Sequence, residues 1–441
     1  MLGLSLGVVG LMLLMLVIGF PIAVALLVSG VVGISLATGW DAALGVLQTV
    51  PFRTVASYVM TTCPMFILMA EFASTGLTQD LFDFAARRTK RFPASLGVAT
   101  VIANAIMGAI CGSSTAAAAT MGRIAIPEMT RKHYPVHMAC GIVAVSGTLS
   151  ILIPPSVVLV LYGIMSNTSV GKLLMAGIIP GIMSAVMYSI IVVIWFKREQ
   201  CRQNIPSNEV LANLAQETKD AYGSSFKEFL AIFPVILLML LILGGIYSGI
   251  VTPTEAASVG ALATLILGLI RRDQSPKKAY DACIRAVKTN AMIFTIMIGA
   301  KVFGYFLTLT QATIGITNWL QSAQIPPWSV LLILIVFYLI LGCMMDGISI
   351  LLLTVPVVAP IVASLGFDLI WFGIIMTKLI EVGLVTPPVG INCYIVADSA
   401  KVPVATAFKG IGWLLLGEAV ILLLLILFPQ ITLFIPSFMS A

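Results

Sequence analysis

Two short motifs interrupt long apolar runs: SILIPP at Ser150–Pro155 and GLVTPP at Gly383–Pro388, offset by 233 residues. Each proline removes a backbone donor and clashes with the preceding helical turn, so each run breaks there. A break leaves carbonyls at one helix end and N–H groups at the next helix start without helical partners. Those carbonyls, with the hydroxyls of Ser150 and Thr386, are hard oxygen ligands of the kind that suit a small hard cation. The exposed N-terminal ends suit an anion. Upstream of the first break stands GAICGSSTAAAATMGRIAIPEM, from Gly108, with Cys111-Gly112-Ser113-Ser114-Thr115 at its tip. Roughly 15–17 apolar residues flank that tip on each side, short of the about 20 a full crossing needs. The stretch reads as a hairpin that enters a membrane and returns. Its twin is LGCMMDGISILLLTVPVVAPIV, Leu341–Val362, with Asp346 at the tip.

A single Ser or Thr in a helix more often bonds its own backbone than a ligand. Here the candidates come as two matched sets. Gly108, Cys111, Ser113, Ser114, Ser150 and Ile153 form the first, several through backbone carbonyls; Gly342, Gly383 and Thr386 form the second, with the Asn392 amide just beyond. Ionisable residues inside apolar runs are candidates by default. Asp346 could sit near a cation or near helix N–H groups. Lys378 and Glu381, three apart, share one helix face and read as a structural pair. Lys301 and Glu71 read as inter-repeat or partner-subunit contacts as well as functional groups, and Glu255, just after Pro253, as a helix N-terminal stabiliser. No arginine stands at a hairpin tip; Arg123 lies towards the cytoplasmic end. An anion would therefore be held by helix dipoles and neutral polar groups.

The elements that position these residues lie in a bilayer. The 441 residues are 60% hydrophobic and 10% charged, with a mean hydropathy of +1.10, whereas soluble domains carry about 25% charged residues. Residues 1–20 have no basic leader and run into a second apolar segment, as a retained first helix does. Seven cysteines without a CxxC pair indicate neither a disulfide framework nor a metal site. An intramembrane protease needs a Ser–His pair or two aspartates in the bilayer. His133 and His137 fall in a loop, and Asp346 has no intramembrane Asp partner, so the chain is not expected to be an enzyme. Nor is a nucleic-acid partner expected.

Leu2–Gly19 and Ile22–Gly39 read as crossing helices joined at Phe20-Pro21, and Val55–Gly76 as a third. A cation-rich connector, Asp80–Phe92, leads to a hairpin at about 94–129 and a broken helix at about 136–165; Leu173–Phe196 crosses again. The second half repeats this order. Pro21 pairs with Pro253, Pro93 with Pro327, Pro127 with Pro360, Pro155 with Pro388 and Gly177 with Gly410, always 232–234 residues on. The expected units are residues 1–199, a cytoplasmic linker 200–229, and 230–441 with a hairpin at about 329–364 and a broken helix at about 369–400. Equivalent loops swap their charge bias. Connector 78–93 carries Arg87, Arg88, Lys90 and Arg91 and its equivalent 311–328 none; loop 40–56 has only Arg53, its equivalent 271–289 six cations, Arg272 among them. Positive loops mark the cytoplasmic side, and the swap requires an odd number of crossings per repeat. The fold class that follows is an all-α polytopic membrane protein of inverted-topology repeats. Each repeat has about five crossing helices, one re-entrant hairpin and one broken helix, an architecture of secondary transporters.

The motifs resemble the large membrane subunit of TRAP (tripartite ATP-independent periplasmic) transporters, the DctM or SiaM type. GAICGSSTAAAATMGRIAIPEM is similar to that family's first hairpin and GTLSILIPPS to its first broken helix, while YSGIVTPTEAASVGA and EVGLVTPPVGINCYIVA resemble its two most recognisable signatures. The likeness spans essentially the whole chain. It departs at Cys111 and Gly108, where family members often carry serine; carbonyl ligation would survive both changes. The resemblance implies import of an organic acid, usually a carboxylate, across the bacterial inner membrane on a sodium gradient, with no other cofactor. It implies two partners, a small four-helix membrane subunit (DctQ or SiaQ type) and a periplasmic substrate-binding protein (DctP or SiaP type). It also implies an elevator-type motion of the hairpins and broken helices. By the family pattern one sodium site falls near Gly108, Cys111, Ser150, Ile153 and Pro155, and a second near Gly342, Gly383, Thr386 and Val389. Ser113, Ser114, Asp346 and Asn392 are placed on the substrate side. The nearest rival is a stand-alone sodium–carboxylate symporter of the divalent-anion type, which needs no binding protein; a purely structural subunit is the other.

Overall fold

The computed structural model describes residues 2–73, 77–90, 94–203, 225–271 and 275–439. The end of the expected third helix, Arg91, Pro93, most of the 200–229 linker and Arg272 lie outside them. Among the described residues every regular element is a helix. In the first half these are α1 (Leu2–Ile18), α2 (Ile22–Thr38), α3 (Trp40–Val55), α4 (Thr62–Ala73) and α5 (Leu77–Arg88). A hairpin of α6 (Ser95–Cys111) and α7 (Ser114–Arg131) follows. Next come α8 (Val136–Ser146), α9 (Leu149–Leu152), α10 (Val157–Ser166), α11 (Val170–Ala176) and α12 (Ile178–Gln203). The second half holds α13 (Ser225–Tyr247), α14 (Pro253–Ile270), α15 (Pro276–Leu309) and α16 (Ala312–Ser322). Its hairpin is α17 (Pro327–Gly342) with α18 (Gly347–Ser364), and its broken helix α19 (Leu369–Val385) with α20 (Ile391–Ala400). α21 (Val404–Leu427) and α22 (Pro429–Ser437) close the chain.

Five helices are long and apolar enough to cross a membrane, and two bent helix pairs raise the number to seven. The chain is a multi-pass membrane protein. One bent pair is 136–166, turned by 42° at its proline break. The other is α3 with α4, turned by 54°, where the sequence reading has a loop at 40–56 and one helix at 55–76. Pro51 sits inside α3 and Pro64 in the first turn of α4. The first starves the ladder of a donor, and the second suits a helix start, where no donor is needed. The counterpart in the second half, α15, runs unbroken for 34 residues.

The halves are joined by close helix crossings. α2 packs on α15, where a methyl group on Gly30 would come 2.9 Å from the Phe303 nitrogen and one on Gly299 2.7 Å from the Ala23 carbonyl. Small residues let backbones approach this closely inside a membrane. α4 packs on α14 through a 2.6 Å hydrogen bond between the Thr62 and Thr254 hydroxyls. Glu71 on α4 accepts a 2.8 Å bond from Arg285 Nε on α15, an ion pair between the halves. Glu255 completes a capping box with Thr252 at the start of α14. Each hairpin also holds the far end of the other half's broken helix, α10 lying on α18 and α20 on α7.

Candidate functional site

Both hairpins fold back on a break in the neighbouring helix. Gly108, in the last turn of α6, crosses Ser150 so closely that a methyl group on it would sit 2.7 Å from the Ser150 Cα. Gly342 at the end of α17 crosses Gly383 in the same way, at 2.9 Å. At the first tip Gly112 turns the chain with φ +57°, and a side chain there would meet the Pro155 carbonyl at 3.1 Å. The turn and the contact both call for glycine. The bonds Pro154–Pro155 and Pro387–Pro388 are both cis.

These crossings bring the expected residues into two groups. Ser150 is buried beside Gly108 and Pro155 beside Gly112, while the buried Ile153 side chain packs against Gly181 of α12. Cys111 closes α6, and its side chain lies outside the described set. The Ser150 hydroxyl is fully buried and has no hydrogen-bond partner. One turn before Gly108, Asn104 donates to the Ser146 hydroxyl at 2.7 Å, and its own carbonyl oxygen is likewise orphaned. Buried polar oxygens without partners are uncommon, and two flank this crossing. In the second group the Thr386 hydroxyl donates to the Val382 carbonyl at 2.6 Å, so its oxygen keeps its lone pairs for an incoming ligand. Val389 is exposed.

The hairpin tips meet across a cavity of about 360 Å³. Ser113, Ser114 and Thr115 line it from the first tip, and Asp346 and Gly347 from the second. Val157 and Leu384 contribute the two breaks, and Glu71 and Thr289 the facing wall. Asp346 caps α18, its carboxylate accepting from Ser349 N at 3.1 Å and Ser349 Oγ at 2.5 Å; of the two expected placements it takes the one beside helix N–H groups. Asn392 does not line the cavity. Fully buried behind it, Asn392 donates to Ser114 Oγ at 2.5 Å and the Ala144 carbonyl at 3.4 Å. It therefore ties the start of α20 to the first tip.

Lys378 and Glu381 do pair, but as part of a larger cluster. The fully buried Lys378 Nζ donates to Glu381 Oε2 at 2.8 Å, Glu418 Oε1 at 2.7 Å and Ser184 Oγ at 3.1 Å. This cluster joins α19 to α12 and α21 just before the second break. Sequence reasoning missed Glu418, although a lone acid in LLLGEAVILLLL is a usable signal. It missed Asn104, a lone amide in an apolar helix, and Thr289 for want of any local signal. Lys301 is exposed on α15.

The sequence pattern of the tripartite ATP-independent periplasmic transporter DctM component fits residues 9–431. The C4-dicarboxylate TRAP transporter large permease protein DctM of Pseudomonas aeruginosa is 34% identical over 392 residues, 88% of each chain. The sialic acid TRAP transporter large permease protein SiaM of Vibrio cholerae is 30% identical over 386 residues, 87% of each chain. The isethionate TRAP transporter permease protein DctMQ of Oleidesulfovibrio alaskensis is 30% identical over 426 residues, which is 96% of this chain and 64% of that one. Among solved structures, the YdaH transporter of Alcanivorax borkumensis superposes with a TM-score of 0.68 at 14% identity, over 97% of this chain and 99% of that one. That likeness shows the fold alone.

Proposed function

The chain belongs to the DctM component family of TRAP transporters, and from that membership we propose that it is the large membrane subunit of a sodium-coupled importer of an organic acid. The cargo is a small organic anion, most simply a carboxylate. The small four-helix subunit and a periplasmic binding protein complete the assembly in the bacterial inner membrane. The observation that carries the reading is the central cavity, walled by both hairpin tips and both helix breaks. Such a cavity combines helix N-terminal ends, which favour an anion, with carbonyl-rich C-terminal ends, which favour a cation.

Sodium fits the residues present. Around the first crossing, the Ser150 hydroxyl is unpartnered and the Gly108 carbonyl, which accepts the Gly112 N–H at 3.0 Å, keeps a second lone pair for a ligand, with Cys111, Ile153 and Pro155 supplying carbonyls. Around the second, Thr386 joins Gly342, Gly383 and Val389. The bound ion would neutralise local carbonyl dipoles and hold each hairpin to its break. Ser113, Ser114 and Asp346 then face the cargo from the cavity wall, and Asn392 positions Ser114. The two crossings and the reciprocal packing of α10 on α18 and α20 on α7 support hairpins and broken helices moving as one body, in an elevator motion. The proline offsets, the swapped loop charges and the matched crossings support two inverted repeats, 1–199 and 230–441, joined by the 200–229 linker.

Thermal unfolding of the chain with its small subunit, titrated with NaCl against choline chloride at equal ionic strength, tests the coupling. A ligand that binds only the folded state stabilises it by RT ln(1 + [L]/Kd), about 2.7 kcal/mol at a hundredfold excess over Kd. A saturating, sodium-specific rise is expected; an identical response to choline removes sodium from the mechanism.

A further inference from the structure

The face of α7 that begins in the central cavity continues beyond it. Ala116 lines the central cavity, while Ala119 and Arg123 line a second, open cavity of about 670 Å³. Steps of three and four residues keep all three on one helix face. α20 forms the opposite wall with Tyr394, Asp398 and, at its end, Lys401. The two helices run parallel. Asn392 bonds Ser114 near their starts, and a methyl group on Gly122, midway along α7, would meet Ser399 Cβ at 3.0 Å near the end of α20. The second cavity therefore lies about two helical turns, or roughly 10 Å, from the central one along the same pair. It lies towards the ends that carry Arg131, Lys132 and Lys401, the basic and hence cytoplasmic side.

The charges in this cavity are unspent. Arg123 is exposed, and its Nε reaches only the Ala119 carbonyl of its own helix, at 3.3 Å. Among the described residues Arg123, Lys401 and Asp398 make no ion pair. Two cations against one carboxylate leave the cavity net positive. Its partner cavity, by contrast, carries Asp346, a helix cap, and Glu71, paired with Arg285. A guanidinium matches the geometry of a carboxylate or sulfonate with two parallel hydrogen bonds, and a concave site of one charge sign concentrates the opposite ion.

We propose that this cavity is an anion vestibule on the cytoplasmic exit path, where Arg123 and Lys401 receive a small organic anion after it leaves the central cavity. The direction of traffic rests on the transport reading above; the anion selectivity of the cavity does not. The vestibule gives the cargo an electrostatic step that the arginine-free tips lack. It also places a specificity filter for charge outside the central site.

The test is thiol labelling at Ala119→Cys in the full chain purified with its small subunit, read by peptide mass spectrometry so that native cysteines are resolved. An anionic ethylsulfonate thiosulfonate reagent is compared with its cationic trimethylammonium counterpart. The anionic reagent is expected to react faster, with the rate ratio falling at least about threefold when Arg123→Gln and Lys401→Gln are added. Sodium succinate, matched to NaCl in sodium and ionic strength, is expected to slow the anionic reagent only while both cations are present. Equal rates for the two reagents, a ratio unmoved by the glutamine pair, or no protection by succinate overturns the proposal. If Ala119→Cys does not assemble, Ser399→Cys on the opposite wall carries the same comparison. Sodium-specific stabilisation without anion preference removes the vestibule alone; anion preference without sodium stabilisation removes the coupling and leaves the vestibule.

Discussion

Gly342 and Gly383 touch backbone to backbone: a methyl group on Gly383 would come 2.4 Å from the Gly342 Cα. Neither helix can yield without moving the second hairpin off its break. Gly383→Ala is therefore expected to lower stability by about 1–3 kcal/mol, the usual cost of overpacking. It should also blunt the sodium response by separating the two halves of the site. Gly412→Ala, where nothing lies within 4 Å of the added methyl, serves as the control. Equal unfolding temperatures for the two variants would contradict the crossing.

Ser150→Ala should show opposite effects with and without sodium. The wild-type hydroxyl is buried without a partner, and deleting such a group is neutral to stabilising when nothing binds it. In sodium the variant loses a ligand and its midpoint for NaCl stabilisation moves to higher concentration. Thr386→Val should shift the same midpoint for the second site. A sodium midpoint unchanged in both variants would leave only a structural role for these hydroxyls.

Lys378→Met leaves Glu381 and Glu418 without their shared cation in a buried helix junction. Removing one partner from a buried ion pair costs about 3–5 kcal/mol, and here two carboxylates lose their common donor. The expected outcome is a chain that fails to accumulate in the membrane or unfolds far earlier. Glu418→Gln, which leaves one ammonium with one carboxylate, should be much milder. Comparable losses in the two variants would argue against the charge count as the cause.

Asp346→Asn should keep α18 intact, because asparagine caps a helix as well as aspartate does, whereas Asp346→Ala should cost about 1 kcal/mol. Both remove a negative charge from the cavity wall. A lowered uptake KM for an anionic cargo in the asparagine variant would fit a carboxylate that tempers binding. A loss of uptake would mark Asp346 as a direct contact.

Much of this architecture is legible in the sequence because membranes narrow the choices. Paired prolines inside apolar runs have few structural meanings, so both breaks and both hairpins could be located from Pro154–Pro155, Pro387–Pro388 and the short flanking segments. Which side chains meet across the fold was far less visible. Lys378 and Glu381 announce their pairing by spacing, but Glu418 lies 40 residues beyond Lys378 on another helix, and no local rule links them. The bend between α3 and α4 is hidden in the sequence because Asp41, Gln48, Pro51 and Arg53 mask the apolar face of α3. Its counterpart α15 also begins with a polar stretch but has no proline after Pro276 to interrupt it. Asn392 is visible in the sequence as an amide just past the second break. Its role as a strut behind Ser114, and not as cavity lining, depends on a contact across 278 residues.

That last contact has a consequence for how the chain is made. The wall of the first tip is not finished until α20 has left the ribosome, and at 5–20 residues per second the wait is on the order of 15–55 seconds. During that interval the Ser114 hydroxyl and the small-residue face of α7 stand in the bilayer without their permanent neighbour. The same holds for α10, which waits for α18. The nascent first half is thus an incomplete object by construction, and its quality control in the cell must tolerate a long, half-dressed intermediate.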